Sequence, residues 1–297
     1  MGTTSQREQI WNNHKRAWFT GIALLVISLL VTSISVIAAT RHPPAGERNA
    51  TATRYSSAGG RNAVHFGTLP PGAKLPSGAE CARLVRGSPN PEDEPMNARF
   101  NRVTGQHVPP GFFSSGDSPQ AAELAPLITG DFTGTTAEIL EWAACKWGIS
   151  QDIVFAQAAV ESSWQQTKLG DWTADVNLCP PGHGIGADGT PGECPQSYGI
   201  LQDKYRFEKA AWPGIAASTA MNVDAAYAIW RSCYDGFEVW LGEGPMNQLY
   251  RAGDLWGCVG RWFSGDWYSP EAQEYIDLVK KYAGERVGQQ PSLAPTP

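Results

Sequence analysis

The chain lacks an excess of basic residues, and with a net charge of −6 it carries no electrostatic footprint for nucleic acid. It has no Cys-x-x-Cys spacing, and its five histidines are scattered, which argues against a zinc site. A single Asp188-Gly189 pair in a glycine-rich stretch is too little to imply calcium. There is no internal repeat, and no two runs of alternating apolar residues read as a strand pair, which leaves helices as the building material.

A further absence is local. Between Trp18 and Thr40 no charged residue occurs, and Gly21 to Ala39 is dominated by Leu, Val, Ile and Ala. A run of about twenty such residues is long enough to cross a bilayer as a helix. Arg7, Lys15 and Arg16 ahead of it predict a cytoplasmic N-terminus over residues 1–17, with the remainder outside the membrane. The length favours an uncleaved signal-anchor at 18–40; the alternative is secretion after cleavage near Val36-Ile37-Ala38. All six cysteines (Cys81, Cys145, Cys179, Cys194, Cys233, Cys258) lie beyond this segment, and an even number on an exported chain implies disulfides. Cys179 with Cys194, closing a Gly/Pro-rich loop, is the one pairing expected from local sequence.

Composition divides the rest of the chain. Residues 41–78 are rich in Gly, Pro, Ala, Ser and Thr and read as a flexible linker. Residues 79–127 stay loop-like but carry Cys81, Phe100, Phe112 and Phe113, and are expected to be an arm stapled onto the main domain. Helical grammar starts at Thr135, whose spacing to Glu138 is that of a capping box; Leu140, Ala143, Ala144 and Trp147 then form one stripe before Gly148 stops the helix. Ser150 is placed to cap the next helix, and Asn222 one that carries Val223, Ala226, Tyr227, Trp230 and Tyr234. A short helix is expected over Leu255–Phe263. A last one starts at Ser269-Pro270, bears Ala272, Tyr275, Ile276 and Val279, and ends at Gly284. The expectation is a mainly α domain over 128–284, followed by a disordered tail at 285–297.

One acid stands out within it. Glu161 ends the almost wholly apolar run Ile153–Val160, and Trp164 comes three residues later. A helix apolar nearly all round is normally buried, so Glu161 is expected to lose solvation and to hold its proton above the usual value of about 4.3. A carboxylic acid of that kind is what cleavage of a glycosidic bond requires. The alternative is a glutamate at a helix end with its head in water. Twelve tryptophans and nine tyrosines fit a sugar groove, although core packing accounts for most such residues.

Three segments, in order, match one family. Ala159-Val160-Glu161-Ser162-Ser163-Trp164 resembles the "QESxF/W" helix end of lytic transglycosylase domains of the goose-lysozyme-like kind. Ser197-Tyr198-Gly199-Ile200-Leu201-Gln202 resembles their "GAxGLMQ" segment, and Pro270–Val279 the closing helix written "ET-x-x-YV-x-x-V". Asn222–Tyr227 is similar to the family's "N-x-x-x-G-x-x-YL" helix, so the resemblance covers roughly residues 135–283.

The resemblance implies a lysozyme-like helical fold with a groove for peptidoglycan glycan strands, and no metal or organic cofactor. Glu161 would be the catalytic acid, protonating the glycosidic oxygen between N-acetylmuramic acid and N-acetylglucosamine. As a carboxylate it would then take the proton of the muramyl C6 hydroxyl, so that a 1,6-anhydro ring closes. The sugar's 2-acetamido group would supply the nucleophilic help that a second carboxylate gives elsewhere. Gln202 would line the groove, with a tight turn as its structural alternative. Gly199 would let the backbone approach the sugar, and Tyr198 and Ser163 would belong to the substrate-binding set. Tyr275 would orient Glu161 through its hydroxyl, or be a core tyrosine. Trp164 would be the apolar wall beside the acid.

The chain also departs from the family. The cysteine-bracketed loop around Pro180–Gly192 lengthens the path from Glu161 to Gly199, and the family's "AYNAG" segment is replaced by Cys258-Val259-Gly260-Arg261-Trp262-Phe263-Ser264-Gly265. Two other functions stay open. A hydrolytic muramidase would need a carboxylate to activate water, with Asp171, Asp175 and Asp203 as candidates. A non-catalytic wall-binding or assembly protein would keep the fold and the groove without turnover.

Overall fold

In the computed structural model, the described residues are 54–56, 62–86, 91–243 and 250–289; the apolar stretch Trp18–Thr40 lies outside them, as do residues 41–53 and 57–61 of the expected linker. Among the described residues no helix is long and apolar enough to cross a membrane. The fold is mainly helical. Its helices are α1 (Gly78–Arg86), α2 (Thr136–Trp147), α3 (Gln151–Ser162), α4 (Gly214–Ala217), α5 (Thr219–Tyr234), α6 (Leu255–Ser264) and α7 (Pro270–Gly284), with short 3-10 turns between them.

Local chemistry starts and stops these helices. At α2 the Thr135 hydroxyl accepts from the Glu138 N–H at 3.3 Å while the Glu138 carboxylate accepts from the Thr135 N–H at 2.8 Å. Gly148 closes α2 in the left-handed region at φ 57°. Ser269 accepts from the Ala272 N–H at 3.1 Å ahead of Pro270 at the start of α7. Two expectations need correction. Ser150 makes no side-chain cap on α3. The cap of α5 is Ser218, which accepts from the Met221 N–H at 3.2 Å, and Asn222 lies one turn inside the helix, where its amide is used for long-range contacts. As expected, α7 ends at Gly284, with Glu285 as its C-cap in ordinary right-handed conformation.

All of α5 is buried, and it packs on α2 and α6; α3 lies between α2 and α7. A helix buried on every side needs each of its polar groups partnered, and α5 meets this at Asn222, Asp224 and Arg231. The Asp224 carboxylate accepts from Lys146 Nζ (2.6 Å), Trp147 Nε1 (2.7 Å) and the N–H groups of Thr129 (2.8 Å) and Gly130 (2.9 Å). Arg231 pairs with Asp235 at 2.8 Å and donates to the carbonyls of Pro70 (2.7 Å) and Leu69 (3.4 Å).

That last contact corrects the expected linker boundary at 78. Phe66 is buried, and the Leu69 N–H donates to the Gly148 carbonyl at 3.0 Å, so residues 65–78 pack on the domain. Their composition resembles a linker because, ahead of Gly78 at the start of α1, they form no regular element. A buried guanidinium on α5 takes up their carbonyls instead. The expected tail also begins inside the fold, since Val287 is buried and Gly288 lies against the Phe155 ring. Strands exist too, contrary to expectation: β1 (Arg54–Ser56) pairs with β2 (Asn62–Val64), and β3 (Leu169–Gly170), β4 (Ser197–Tyr198) and β5 (Asp203–Lys204) form a small antiparallel sheet. Strands of two residues are too short for an alternating pattern to register.

Disulfides join Cys81 to Cys145, Cys179 to Cys194 and Cys233 to Cys258, leaving no free cysteine. The first staples α1, and with it the 79–127 segment, onto α2; the third ties α5 to α6. Complete pairing puts the domain in an oxidising, extracytoplasmic environment.

Candidate functional site

Glu161 lies in the last turn of α3 and is half-buried rather than sealed. The chain leaves the helix sharply after it. Ser163 and Trp164 both take positive φ, 53° and 64°, and the Ser163 and Trp164 N–H groups donate back into α3. Two more non-glycine residues nearby do the same, Asp171 at 52° and Gln202 at 54°. For a residue as bulky as Trp164 this is a genuine outlier, held only because its surroundings over-determine it; such strain gathers at functional sites.

The surroundings are a polar clamp. Asn97 donates to the Trp164 carbonyl (2.7 Å) and accepts from the Gln166 N–H (2.8 Å). The buried Gln166 side chain donates to the Ile215 carbonyl (2.9 Å) and accepts from the Ile200 N–H (3.2 Å). Ser162 Oγ donates to the Ile200 carbonyl at 2.8 Å. From α5, Asn222 accepts from the Leu201 N–H (2.9 Å) and donates to the carbonyls of Tyr198 (2.9 Å) and Ile215 (3.0 Å). The turn between β4 and β5 is thereby fixed against the end of α3 that carries Glu161.

On the other side stands α7. The Tyr275 hydroxyl donates to Glu161 Oε1 at 2.6 Å, and Gln157 Nε2 approaches the same hydroxyl at 3.4 Å. Burial, then the adjacent Glu161, raises the Tyr275 phenol well above its ordinary value, so it stays a donor. The Phe263 ring stacks on Tyr275 with centroids 4.8 Å apart, and Trp262 Nε1 donates to the Leu201 carbonyl at 3.2 Å. Two partly exposed aromatics of α6 therefore adjoin Tyr275 and the 199–202 turn, the two elements that meet at the acid.

Beneath lies an acidic interior. Asp203 is fully buried, and burial, then Glu208 and Glu161, push it well above the ordinary carboxylate range, against weak hydrogen bonding from its own N–H and Asn222. Burial pushes Glu208 up to about 7 against the pull of Arg261. Glu238 also sits at about 7, raised by burial although Arg261 Nε donates to it at 2.6 Å. Groups raised on folding bind protons that the unfolded chain has released. Their stabilising contribution is full below the unfolded value of about 4.3 and is lost as pH rises through about 7. The midpoint of thermal unfolding should therefore be higher at pH 5 than at pH 8 by several degrees, and Glu208→Gln should flatten the dependence. A midpoint equal or higher at pH 8 would contradict this assignment.

The expected site residues fare differently. Glu161, Tyr275 and the 199–202 turn come together, and Ser163 is exposed as the cap of α3. Gln202 is half-exposed, and its NH2 is committed to the carbonyls of Gly199 (2.8 Å) and Lys168 (3.2 Å), so only its amide oxygen is left to accept from a sugar. That oxygen lies where a Cβ on Gly170 would sit. Tyr198 is buried at 1% exposure with its hydroxyl donating to the Pro195 carbonyl at 3.0 Å, so it does not face a substrate in this conformation. Gly199, at φ 80°, admits the close approach of the Asn222 amide rather than of a sugar. Trp164 is a core residue: its indole donates to the Phe155 carbonyl at 3.0 Å and its ring packs edge-on against Phe155. Sequence reasoning passed over Asn97, Gln166, Trp262 and Phe263. The one signal for the last two was an adjacent aromatic pair on a short amphipathic helix.

Compared with known proteins, the chain matches no family model, and no curated protein or solved structure matches it. Among the described residues no group of three His, Cys, Asp or Glu side chains could hold a metal ion.

Proposed function

We propose that this domain is a peptidoglycan lytic transglycosylase of lysozyme-like architecture, held outside the membrane by the Trp18–Thr40 segment, with Glu161 as its acid and base. The observation that carries the reading is the Tyr275 hydroxyl donating to Glu161 Oε1 at 2.6 Å beside the turn that ends in Gln202. A donor fixed by burial and by Phe263 sets the orientation of the carboxyl group, which is what a proton donor at a glycosidic oxygen requires.

In the reaction Glu161 gives its proton to the oxygen leaving C1 of the muramyl residue, and the C1–O bond breaks with help from the 2-acetamido oxygen. The carboxylate then takes the C6 hydroxyl proton as O6 bonds to C1, which closes the anhydro ring and restores the acid. No water enters, so no second carboxylate is needed.

The hydrolytic alternative is less well supplied. Asp203 is fully buried, where no water or substrate meets it. Asp171 is engaged by Lys204 Nζ (2.8 Å) and Ser197 Oγ (2.7 Å), and Asp175 caps its own 3-10 turn by accepting from the Asn177 N–H at 3.1 Å. Digestion of purified peptidoglycan followed by mass spectrometry of the fragments should give 1,6-anhydro-muramyl ends. Products with only reducing ends would replace this reading with muramidase chemistry.

A further inference from the structure

The loop closed by Cys179–Cys194 has an unusual relation to the body of the domain. Its neck is tied by the disulfide and by the Thr173 and Cys194 backbones, which exchange hydrogen bonds of 3.0 and 2.8 Å. Beyond the neck, backbone bonds such as His183 to Pro180 (3.1 Å), Gly186 to Glu193 (2.8 Å) and Ala187 to Gly184 (3.0 Å) run inside the loop. Gly182, Gly184, Gly186, Gly189 and Gly192 have nothing within 4 Å of where a Cβ would be, and residues 181–192 are all exposed or half-exposed.

The His183 side chain packs on the domain. The His183 ring sits edge-to-face on Tyr198 (5.1 Å) and on Trp212 (5.4 Å), while its Nδ1 lies 3.0 Å from both carboxylate oxygens of Asp188. Trp212 in turn meets Tyr198 at 5.0 Å and Tyr205 at 5.5 Å. Tyr198 immediately precedes the turn that is clamped against the helix bearing Glu161, so the covered rings continue the site along β4 and β5.

We propose that this loop is a displaceable cover whose latch is His183, oriented by Asp188, and that lifting it uncovers the Tyr198 and Trp212 rings, beside the half-exposed Tyr205, as a stacking surface for a sugar of the glycan strand. Flat aromatic rings with polar rims suit the apolar faces of N-acetylhexosamines. The disulfide keeps the neck closed while the latch opens, so the loop lifts without loss of the fold. The choice of glycan as ligand rests on the function proposed above; the latch itself does not.

The test has two arms on the intact domain. In the first, His183→Ala should speed amide hydrogen exchange over residues 180–193 at least tenfold with other helices unchanged, and Asp188→Asn should do so less strongly. Unchanged exchange in both variants overturns the latch. In the second, binding of an N-acetylglucosamine oligosaccharide is followed by tryptophan fluorescence. His183→Ala should bind several-fold tighter than the unaltered chain, and adding Trp212→Ala, with folding checked by circular dichroism, should abolish the gain. If the unaltered chain cleaves peptidoglycan while His183→Ala shows no gain, the covered sugar surface is wrong and the enzyme reading survives. If it neither cleaves peptidoglycan nor binds the oligosaccharide, the glycan assignment falls with that reading.

Discussion

Glu161→Gln should lower turnover of purified peptidoglycan by roughly 10²- to 10⁴-fold, the range that a positioned proton donor contributes, while leaving fold and glycan binding intact. The amide is close in size to the acid, and its oxygen can still accept the Tyr275 hydroxyl that now reaches Glu161 Oε1 at 2.6 Å. What it cannot do is surrender a proton to the departing sugar oxygen and recover one from the C6 hydroxyl. The measurement is fragment release from purified sacculi, with circular dichroism and a pull-down on insoluble peptidoglycan as controls. Retained turnover would remove Glu161 from the chemistry. An unaltered chain that binds the wall, shows no turnover and is indifferent to the substitution would be a binding or assembly protein instead.

The largest effect on stability is expected at Asp224→Ala. Its carboxylate is fully buried and accepts from Lys146 Nζ, Trp147 Nε1 and two backbone N–H groups. Removing it strands an ammonium that is itself buried, together with three N–H donors, where bulk solvent does not reach to replace the lost partner. Breaking a buried pair in this way destabilises by about 3–5 kcal/mol. With roughly 2–4 °C of melting temperature per kcal/mol for a domain of this size, the midpoint should drop by about 6–20 °C. Urea unfolding followed by intrinsic fluorescence is the direct check, and a change below about 1 kcal/mol would show that Lys146 finds another partner. The partners of Asp224 lie on α2 and at residues 129–130, outside the set that clamps the Glu161 turn, so loss of activity in the variant at a temperature where it remains folded is not expected.

Much of the helical frame was legible because its signals are short-range. Thr135 with Glu138, Gly148, and Ser269 with Pro270 act within one helical turn, and each sits where the spacing predicts. The disulfide-closed loop was legible too, since Cys179 and Cys194 are 15 residues apart across turn-forming composition. Asn222 is conspicuous by type yet misleading, because an amide next to a helix start looks the same whether it caps or reaches across the fold. Residues 65–78 mislead for a related reason: Gly and Pro announce the lack of a regular element, whether the chain is free in solvent or lies on a buried arginine. Tyr198 and Trp164 mislead because an aromatic ring fits a groove and a core equally well, and position along the chain does not distinguish them.

Read by itself, the chain specified the local grammar: where helices begin and end, an exported set of cysteines, and one acid at the end of an apolar helix. Packing chose the partners. Tyr275 meets Glu161 across 114 positions, and Gln166, Asn222 and Asn97 hold the turn and the strained exit from α3 from three separate segments. Contacts of that range depend on how whole helices stack, because a buried polar group takes whichever partner the surrounding core brings within about 3 Å. No spacing rule along the chain encodes that choice.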